Sequence, residues 1–438
     1  IILDYPAILG GIFMSKYLSK FETLYQSIMS FEEKSIPLCA AENPISPFAK
    51  LALDSKLQEK YIMGGIQQLD RNNNFIESEL LFQFYQLVNA QCRDLFHCKY
   101  ADPRALSGVN AVMVLLMSLF KDGDTILISS EDSGGHSSMP LICRRLGIST
   151  IDLPFDFDVM DFDYDAANQI IQENNICGIL LCPSDLLFQP CLEKFQLPAD
   201  CILIYDATQT LGLMVHQINE NPLDKFSDES KFILMGATHK TIPGPTCGLI
   251  MTKNLELARQ FDNVINPDYL RNVQFHHILS LSLVLMELET FGYEYGSNIV
   301  KNANCLGQRL EQNGFEVVKK GDGRYTNTHQ LFLPMSTEHL ENFMNHCREF
   351  GISLNARYKR LYRGQGIRIG VQEVTRYGWG KEEMCEIADI LSVLRHSEID
   401  SKKLECRISS LTNHREIHYT FDHETVKKMG DVLHNSQL

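Results

Sequence analysis

Two charged residues stand where apolar runs end. Ile204-Tyr205-Asp206 closes one run, and Phe232, Ile233, Leu234 and Met235 lead into a second that finishes in Ala237-Thr238-His239-Lys240-Thr241-Ile242-Pro243-Gly244-Pro245. A carboxylate and an amine presented this way are what a pyridoxal-phosphate site asks of a chain. The lysine forms an imine with the cofactor aldehyde, and the aspartate keeps the ring nitrogen protonated so that the ring acts as an electron sink. Taken alone, such a pair more often serves as a cap and a solvated charge, so its meaning depends on the elements that carry it.

Those elements are legible as alternating segments. Thr125 to Ile128, Ile176 to Cys182, Cys201 to Tyr205, Phe232 to Met235 and Gly248 to Met251 are short continuous apolar runs separated by longer amphipathic stretches. This pattern predicts an α/β fold with a mostly parallel sheet covered on both faces. Ligands of such sheets lie beyond the carboxyl ends of the strands, so Asp206 and Lys240 can reach one crevice. Ala111 to Met117 is apolar nearly all round and predicts a buried helix. Ser107 and Gly108 precede it, a plain cap or a phosphate cradle at a helix amino terminus. Further on, Leu279 to Phe291 predicts a helix linking the large lobe to a smaller α+β lobe. In that lobe Val317-Val318, Gln330 to Leu333 and Ile367 to Ile369 read as strands, and Ser336 to Phe350 and Lys381 to Leu394 as helices. The tail after Ser397 is polar, with one strand-like piece at Ile417 to Phe421.

Composition narrows the classes. The 438 residues are 44% hydrophobic and 22% charged, as expected of a globular enzyme with a large core. A formal charge of −15 disfavours nucleic acid or an anionic membrane surface as partner. Thirteen scattered cysteines fit reduced thiols in a cytoplasmic protein better than a disulfide framework. No apolar run reaches the ~18 residues of a membrane span. Ile1 to Phe13 lack the basic start and cleavage site of a signal peptide. Met14-Ser15-Lys16 reads as a translation start, which would make the first thirteen residues an upstream extension.

Several segments, in order, resemble the serine hydroxymethyltransferase family of pyridoxal-phosphate enzymes. Thr238-His239-Lys240-Thr241 with Gly244-Pro245 resembles its cofactor-lysine segment. Cys39-Ala40-Ala41-Glu42-Asn43 with Ser46, Lys60-Tyr61 with Gly64, Leu106-Ser107-Gly108 with Asn110, Gly134-Gly135-His136 and Gly366 to Gly370 resemble its other site segments. The match runs from about residue 35 to 395. It implies the aspartate-aminotransferase-like fold, fold type I, with a seven-stranded sheet in a large domain and a smaller carboxy-terminal α+β domain. The boundaries expected are 1–64 for an arm, 65–295 for the cofactor domain and 296–438 for the small domain with its tail.

The resemblance also implies roles. Lys240, His136 and Glu42 are the expected catalytic groups, although Glu42 could equally pair with a lysine. Ser107, Gly108, Val109, Ser133, Asp206, Gln209, Thr238, His239 and Lys240 are expected to hold pyridoxal phosphate. Ala41, Tyr61 and Arg368 are expected to meet the amino acid, Arg368 through its carboxylate. Departures matter as much. Met63 stands where the family has a glutamate used in folate-dependent transfer, and 67–74 lack its tyrosine pair. Ser133 replaces a stacking histidine, Gln209 and Thr246 replace His and Arg, and a glycine pair is missing near 273–277. Gly370 to Arg376 is similar to the threonine-transaldolase branch. The expectation is therefore transfer of a glycyl carbanion from threonine to an acceptor aldehyde, in a homodimer or homotetramer with shared sites. The alternatives are a hydroxymethyltransferase or related aldolase, and a non-catalytic subunit on the same fold.

Weaker signals carry plainer readings. His414, His418 and His423 have metal-like spacing in a polar tail without cysteine support, and no metal is expected. His276-His277 reads as capping or core, with a contribution to a partner's site as the alternative. Ser46 and Ser133 have no G-x-S-x-G elbow and are not hydrolase nucleophiles.

Overall fold

The computed structural model describes residues 17–62, 75–396 and 398–434. The expectations placed on residues 1–16, Met63, Gly64, 67–74 and Ser397 lie outside them.

Seven strands form the central sheet: β1 (Tyr100–Ala105), β2 (Thr125–Ile128), β3 (Ser149–Asp152), β4 (Gly178–Leu181), β5 (Ile202–Asp206), β6 (Phe232–Ala237) and β7 (Gly248–Thr252). Their order is β1-β7-β6-β5-β4-β2-β3. β6, β5, β4, β2 and β3 run parallel, while β7 is antiparallel to both of its neighbours. Alternation explains the unbroken apolar runs. Leu203, Tyr205, Phe232, Leu234, Leu249 and Met251 enter one buried cluster, and Ile202, Ile204, Ile233, Met235 and Ile250 enter another on the opposite face.

Helices complete the layers. α1 (Leu18–Lys34) lies on the surface with no buried residue. α2 (Ser78–Phe96) packs into the first cluster through Leu81, Phe82, Tyr85 and Val88. α3 (Gly108–Leu119) buries Ala111, Val112, Val114, Leu115 and Leu116 against the other face. α4 (Phe275–Gln312) is much longer than the predicted 279–291. Gly292 and Gly296, residues that weaken a helix interior, lie just past the predicted end. Both instead allow close packing, since a Cβ at either position would sit 3.1 Å from His216 or Ile218. α4 therefore continues from the sheet core into the second lobe, where Tyr295, Ile299, Leu306 and Leu310 are buried.

That lobe contains β8 (Gln330–Pro334), α5 (Thr337–Glu349), β9 (Asn355–Arg357), β10 (Gly366–Gly370) and α6 (Lys381–Val393). Its strands form an antiparallel sheet ordered β8-β10-β9. Ile36–Pro37 pairs with Ile352–Ser353 and ties the amino-terminal segment to this lobe. Two expected strands are absent. Val318 makes a backbone bond to Phe332 O (3.0 Å) without joining the ladder. Ile417 to Phe421 is irregular: Tyr419 takes a φ of 57°, and Phe421 leaves the surface to pack on Phe48. Helices Ser401–Thr412 and His423–His434 occupy most of the tail.

Candidate active site

Asp206 ends β5 beside Met235 of β6, and one threonine locks the two strand ends together. Thr208 gives both its amide (2.9 Å) and its hydroxyl to Asp206 Oδ1, while the same hydroxyl oxygen accepts the Ala237 amide at 2.7 Å. No described residue hydrogen-bonds Asp206 Oδ2. Burial pushes the carboxyl pKa up, opposed by the Thr208 bonds and by the nearby Lys240 and His136.

Lys240 follows in a turn that its neighbours hold shut. Thr238 Oγ1 donates to Pro245 O (2.6 Å), Thr238 O accepts from Gly244 N (2.9 Å), and Thr241 Oγ1 accepts from Gly212 N (3.1 Å). Thr238 and Thr241 thus shape the turn. Lys240 Nζ has no ion pair among the described residues. Burial, reinforced by the Arg368 charge, lowers its pKa to about 8. His239 is pushed down to about 4 by burial and Lys240, and its Nδ1 is buried without a partner.

The phosphate loop has the expected local form. Ser107 caps α3, its hydroxyl accepting from Asn110 N at 3.2 Å, and the amides of Gly108 and Val109 head the helix where no intrahelical acceptor exists. Gly108 packs closely on β6, since a Cβ there would stand 3.0 Å from Ala237 Cβ.

Gly134-Gly135-His136 crosses the end of β4. His136 N donates to Cys182 O (2.9 Å), and Gly135 bridges Pro183. A side chain would collide with Asp185 O at Gly134 and with Ser129 O at Gly135, so the glycines let the loop lie down. His136 Nδ1 accepts from Ser138 N (3.2 Å), which leaves the proton of the neutral ring on Nε2. Burial lowers its pKa, so the neutral ring prevails at pH 7. Ser133 is engaged within its turn, bonding Ser130. Gln209 accepts from Gln330 Nε2 at 2.9 Å.

From the second lobe, Arg368 enters on β10 and is 3% exposed. Its NH1 donates to Ser184 O (2.8 Å) and Asp185 Oδ1 (3.3 Å) and its NH2 to Asn355 Oδ1 (3.1 Å), while Nε is buried without a hydrogen-bond partner. The amino-terminal segment lies against the same strand. Gly370 N donates to Leu38 O, a Cβ at Gly370 would strike Ala40, and Gln372 Nε2 donates to Cys39 O and Glu42 O. Ala41 and Glu42 are carried there as a consequence, with the exposed Glu42 carboxylate beside the Cys39 thiol. Asn43 joins the two halves by donating to Lys240 O and to Tyr295 Oη.

Other expected residues lie apart. Tyr61 is on the surface, stacked on Phe75 at 4.6 Å, without a hydrogen bond to the cluster among the described residues. Ser46 caps the short helix Pro47–Lys50. His277 Nδ1 contacts Thr246 O, and His276 packs edge-on against it at the start of α4. No three His, Cys, Asp or Glu side chains gather as a metal site among the described residues.

Sequence reading missed a second cluster beside Arg368. Asp185, fully buried, accepts from Lys359 Nζ (2.8 Å) and Tyr362 Oη (2.9 Å) and lies 3.2 Å from Arg357 Nε. Burial alone would raise its pKa, but Arg368, Lys359 and Arg357 together hold it down. A carboxylate just past a parallel strand was a usable signal for Asp185. Its cations come from another lobe, and nothing local announces them.

The residues fit pyridoxal phosphate: among the described residues, an unpartnered Asp206 oxygen, an unpaired lysine at the neighbouring strand end, and a capped helix start with free amides. A serine hydroxymethyltransferase family model matches residues 192–391. Serine hydroxymethyltransferases of Thermoplasma acidophilum and Thermoplasma volcanium are 30% and 31% identical, over 89% and 82% of this chain and 92% and 85% of theirs. An L-threonine transaldolase structure from Pseudomonas fluorescens, in its internal aldimine state, superposes with a TM-score of 0.88 at 23% identity, covering 95% of this chain and 98% of that one. The chain belongs to the serine hydroxymethyltransferase family and is a pyridoxal-phosphate-dependent transferase of fold type I.

Proposed function

We propose that this member of the serine hydroxymethyltransferase family is a threonine transaldolase, moving the glycyl unit of threonine to an acceptor aldehyde without folate. The observation that carries the reading is Met63, a thioether where the resembling folate-dependent enzymes have a proton-exchanging glutamate. Gln209 adds support, standing where the resembling family usually has a histidine. The hydroxymethyltransferase reading is kept as second, because the relatives with that name are the more similar in sequence.

Bound pyridoxal phosphate supplies an aldehyde for amine exchange and a ring that withdraws electrons from the amino acid's Cα. Ser107, Gly108 and Val109 would hold its phosphate and Asp206 its ring nitrogen, with Ser133, Gln209, Thr238 and His239 forming the surrounding walls. Lys240 is poised to exchange with a substrate amine, since a pKa lowered to about 8 leaves far more free amine near neutrality than an ordinary lysine has. Arg368 Nε offers a buried donor for the substrate carboxylate next to Ala41. His136 presents Nε2–H, which steadies a β-oxygen as a donor and does not take its proton. That proton then falls to a carboxylate such as Glu42, or to water. Cleavage breaks Cα–Cβ of threonine and releases acetaldehyde. Addition forms the new Cα–C bond and returns a proton to the aldehyde-derived oxygen, so the exchange needs no redox partner.

The test is acetaldehyde release from threonine across an aldehyde panel, beside serine with tetrahydrofolate. A new β-hydroxy amino acid, formed at a rate tetrahydrofolate does not change, is the expected result. Folate-dependent conversion of serine to glycine without threonine cleavage favours the second reading.

A further inference from the structure

The segment from Asn355 to Arg363 carries Arg357, Lys359, Arg360 and Arg363, four cations in seven positions of a chain whose formal charge is −15. Two of them are occupied away from the crevice. Arg360 stacks on Phe157, its guanidinium 4.1 Å from the ring centre, and Arg363 pairs with Glu316. The other two face inward. Lys359 is anchored between Gly135 O and Asp185, which ties it to the loop bearing His136. Arg357 lies within ion-pair distance of Asp185 and keeps 28% of its side chain exposed. Its Nε makes no hydrogen bond, and its terminal nitrogens have no hydrogen-bond partner among the described residues.

The local charge does not balance. Arg357, Lys359 and Arg368 converge on the single buried carboxylate of Asp185, and even with Glu42 counted the cations outnumber the anions. Asp185 Oδ1 already accepts from Tyr362 and Arg368 and Oδ2 from Lys359, so too few acceptor positions remain for the two-pronged Arg357 fork. Arg368 is reserved for the amino acid. The Arg357 charge is felt across the crevice, for it acts on both Lys240 and His136. A partly exposed guanidinium with open terminal donors, backed by low-dielectric walls, is a receptor for a planar or tetrahedral anion.

We propose that Arg357, held in place by Asp185 and supported by Lys359, selects an acceptor aldehyde that carries its own anionic group, a carboxylate or a phosphate. This rests on the aldehyde-exchange reading above. Arg357 is a specificity-determining residue in it, touching the second substrate at the end remote from the reacting carbonyl.

The holoenzyme is assayed with threonine and paired acceptors: 4-oxobutanoate against butanal, and glyceraldehyde 3-phosphate against glyceraldehyde. In parallel, succinate is titrated calorimetrically into holoenzyme saturated with glycine. The anionic member of at least one pair is expected to be preferred by kcat/KM, and which pair it is separates carboxylate from phosphate. Arg357→Gln lowers that preference roughly 10- to 100-fold, and Arg357→Lys restores part of it. Equal use of charged and neutral acceptors, with succinate binding the same in wild type and Arg357→Gln, overturns the proposal. If threonine releases no acetaldehyde with any acceptor, the exchange reading fails and the titration decides alone. Succinate binding lost in Arg357→Gln then upholds the anion site, and binding that is absent or insensitive to the substitution removes it.

Discussion

Asp185 Oδ1 lies 3.3 Å from NH1 of Arg368, across the boundary between the central sheet and the second lobe. The carboxylate follows β4, and the guanidinium sits in the middle strand of the antiparallel sheet. Asp185→Leu is expected to leave Arg368 and Lys359 buried without their counter-charge, at a cost of about 3–5 kcal/mol in stability. The urea midpoint of the holoprotein reads it; an unchanged midpoint would mean that the pair holds nothing together.

Arg368 is expected to bind the amino-acid carboxylate through its unpartnered Nε and an adjacent nitrogen. Arg368→Ala should weaken glycine or threonine affinity by about 2–4 kcal/mol, roughly 30- to 1,000-fold. Equilibrium titration of the cofactor absorbance measures it. Undiminished affinity would transfer this role to another group.

Lys240 is expected to be the residue that carries the cofactor covalently. Reduction with borohydride followed by peptide mapping should place the label on it, and Lys240→Ala should take none. Its pKa of about 8 makes uptake pH-dependent. The folded-state value lies below the 10.5 of an ordinary lysine, so the fold penalises the charged amine. That penalty is complete below about pH 8 and disappears as the pH rises through 10.5. Cofactor uptake by apoprotein should therefore accelerate toward a midpoint near pH 8. A midpoint near 10.5 would show an ordinary, solvated amine.

Asp206→Asn preserves the shape of the β5 terminus and removes its charge. Cofactor should still bind, because the phosphate and lysine contacts remain, while turnover drops roughly 10- to 100-fold with loss of the charge-assisted bond to the ring. Full turnover in this variant is incompatible with the electron-sink role.

His136 is expected to act as a donor. The amide of Ser138 occupies Nδ1, so a side chain that donates without titrating can stand in for the ring. His136→Asn should retain more kcat for threonine cleavage than His136→Ala, with no new ionisation between pH 6 and 8. The reverse ranking would identify the ring as a base.

The layered sheet and the order of the cofactor segments were legible in the chain alone. Unbroken apolar runs such as Ile202 to Tyr205 have one stable use, burial on both faces of a parallel sheet, and such a sheet presents Asp206 and the turn of Lys240 at one edge. Local chemistry also predicted the cap at Ser107, because hydroxyl, glycine and helix start are neighbours in the chain. Other features rested on contacts between distant segments. The second half of α4 passes through two glycines that meet His216 and Ile218 and is held by burial of Tyr295 to Leu310 in the second lobe, a contact between distant segments. The Ile417 to Phe421 piece alternates like a strand, yet its backbone bonds Arg376, through His418 N and Tyr419 O, and Phe421 packs on Phe48 instead. The cation cluster was hidden for the same reason. Nothing in the sequence around Arg357 and Lys359 signals that folding sets Asp185, more than 170 positions earlier, among them. Electrostatic roles of this kind depend on distance in space, which residue spacing along the chain does not fix.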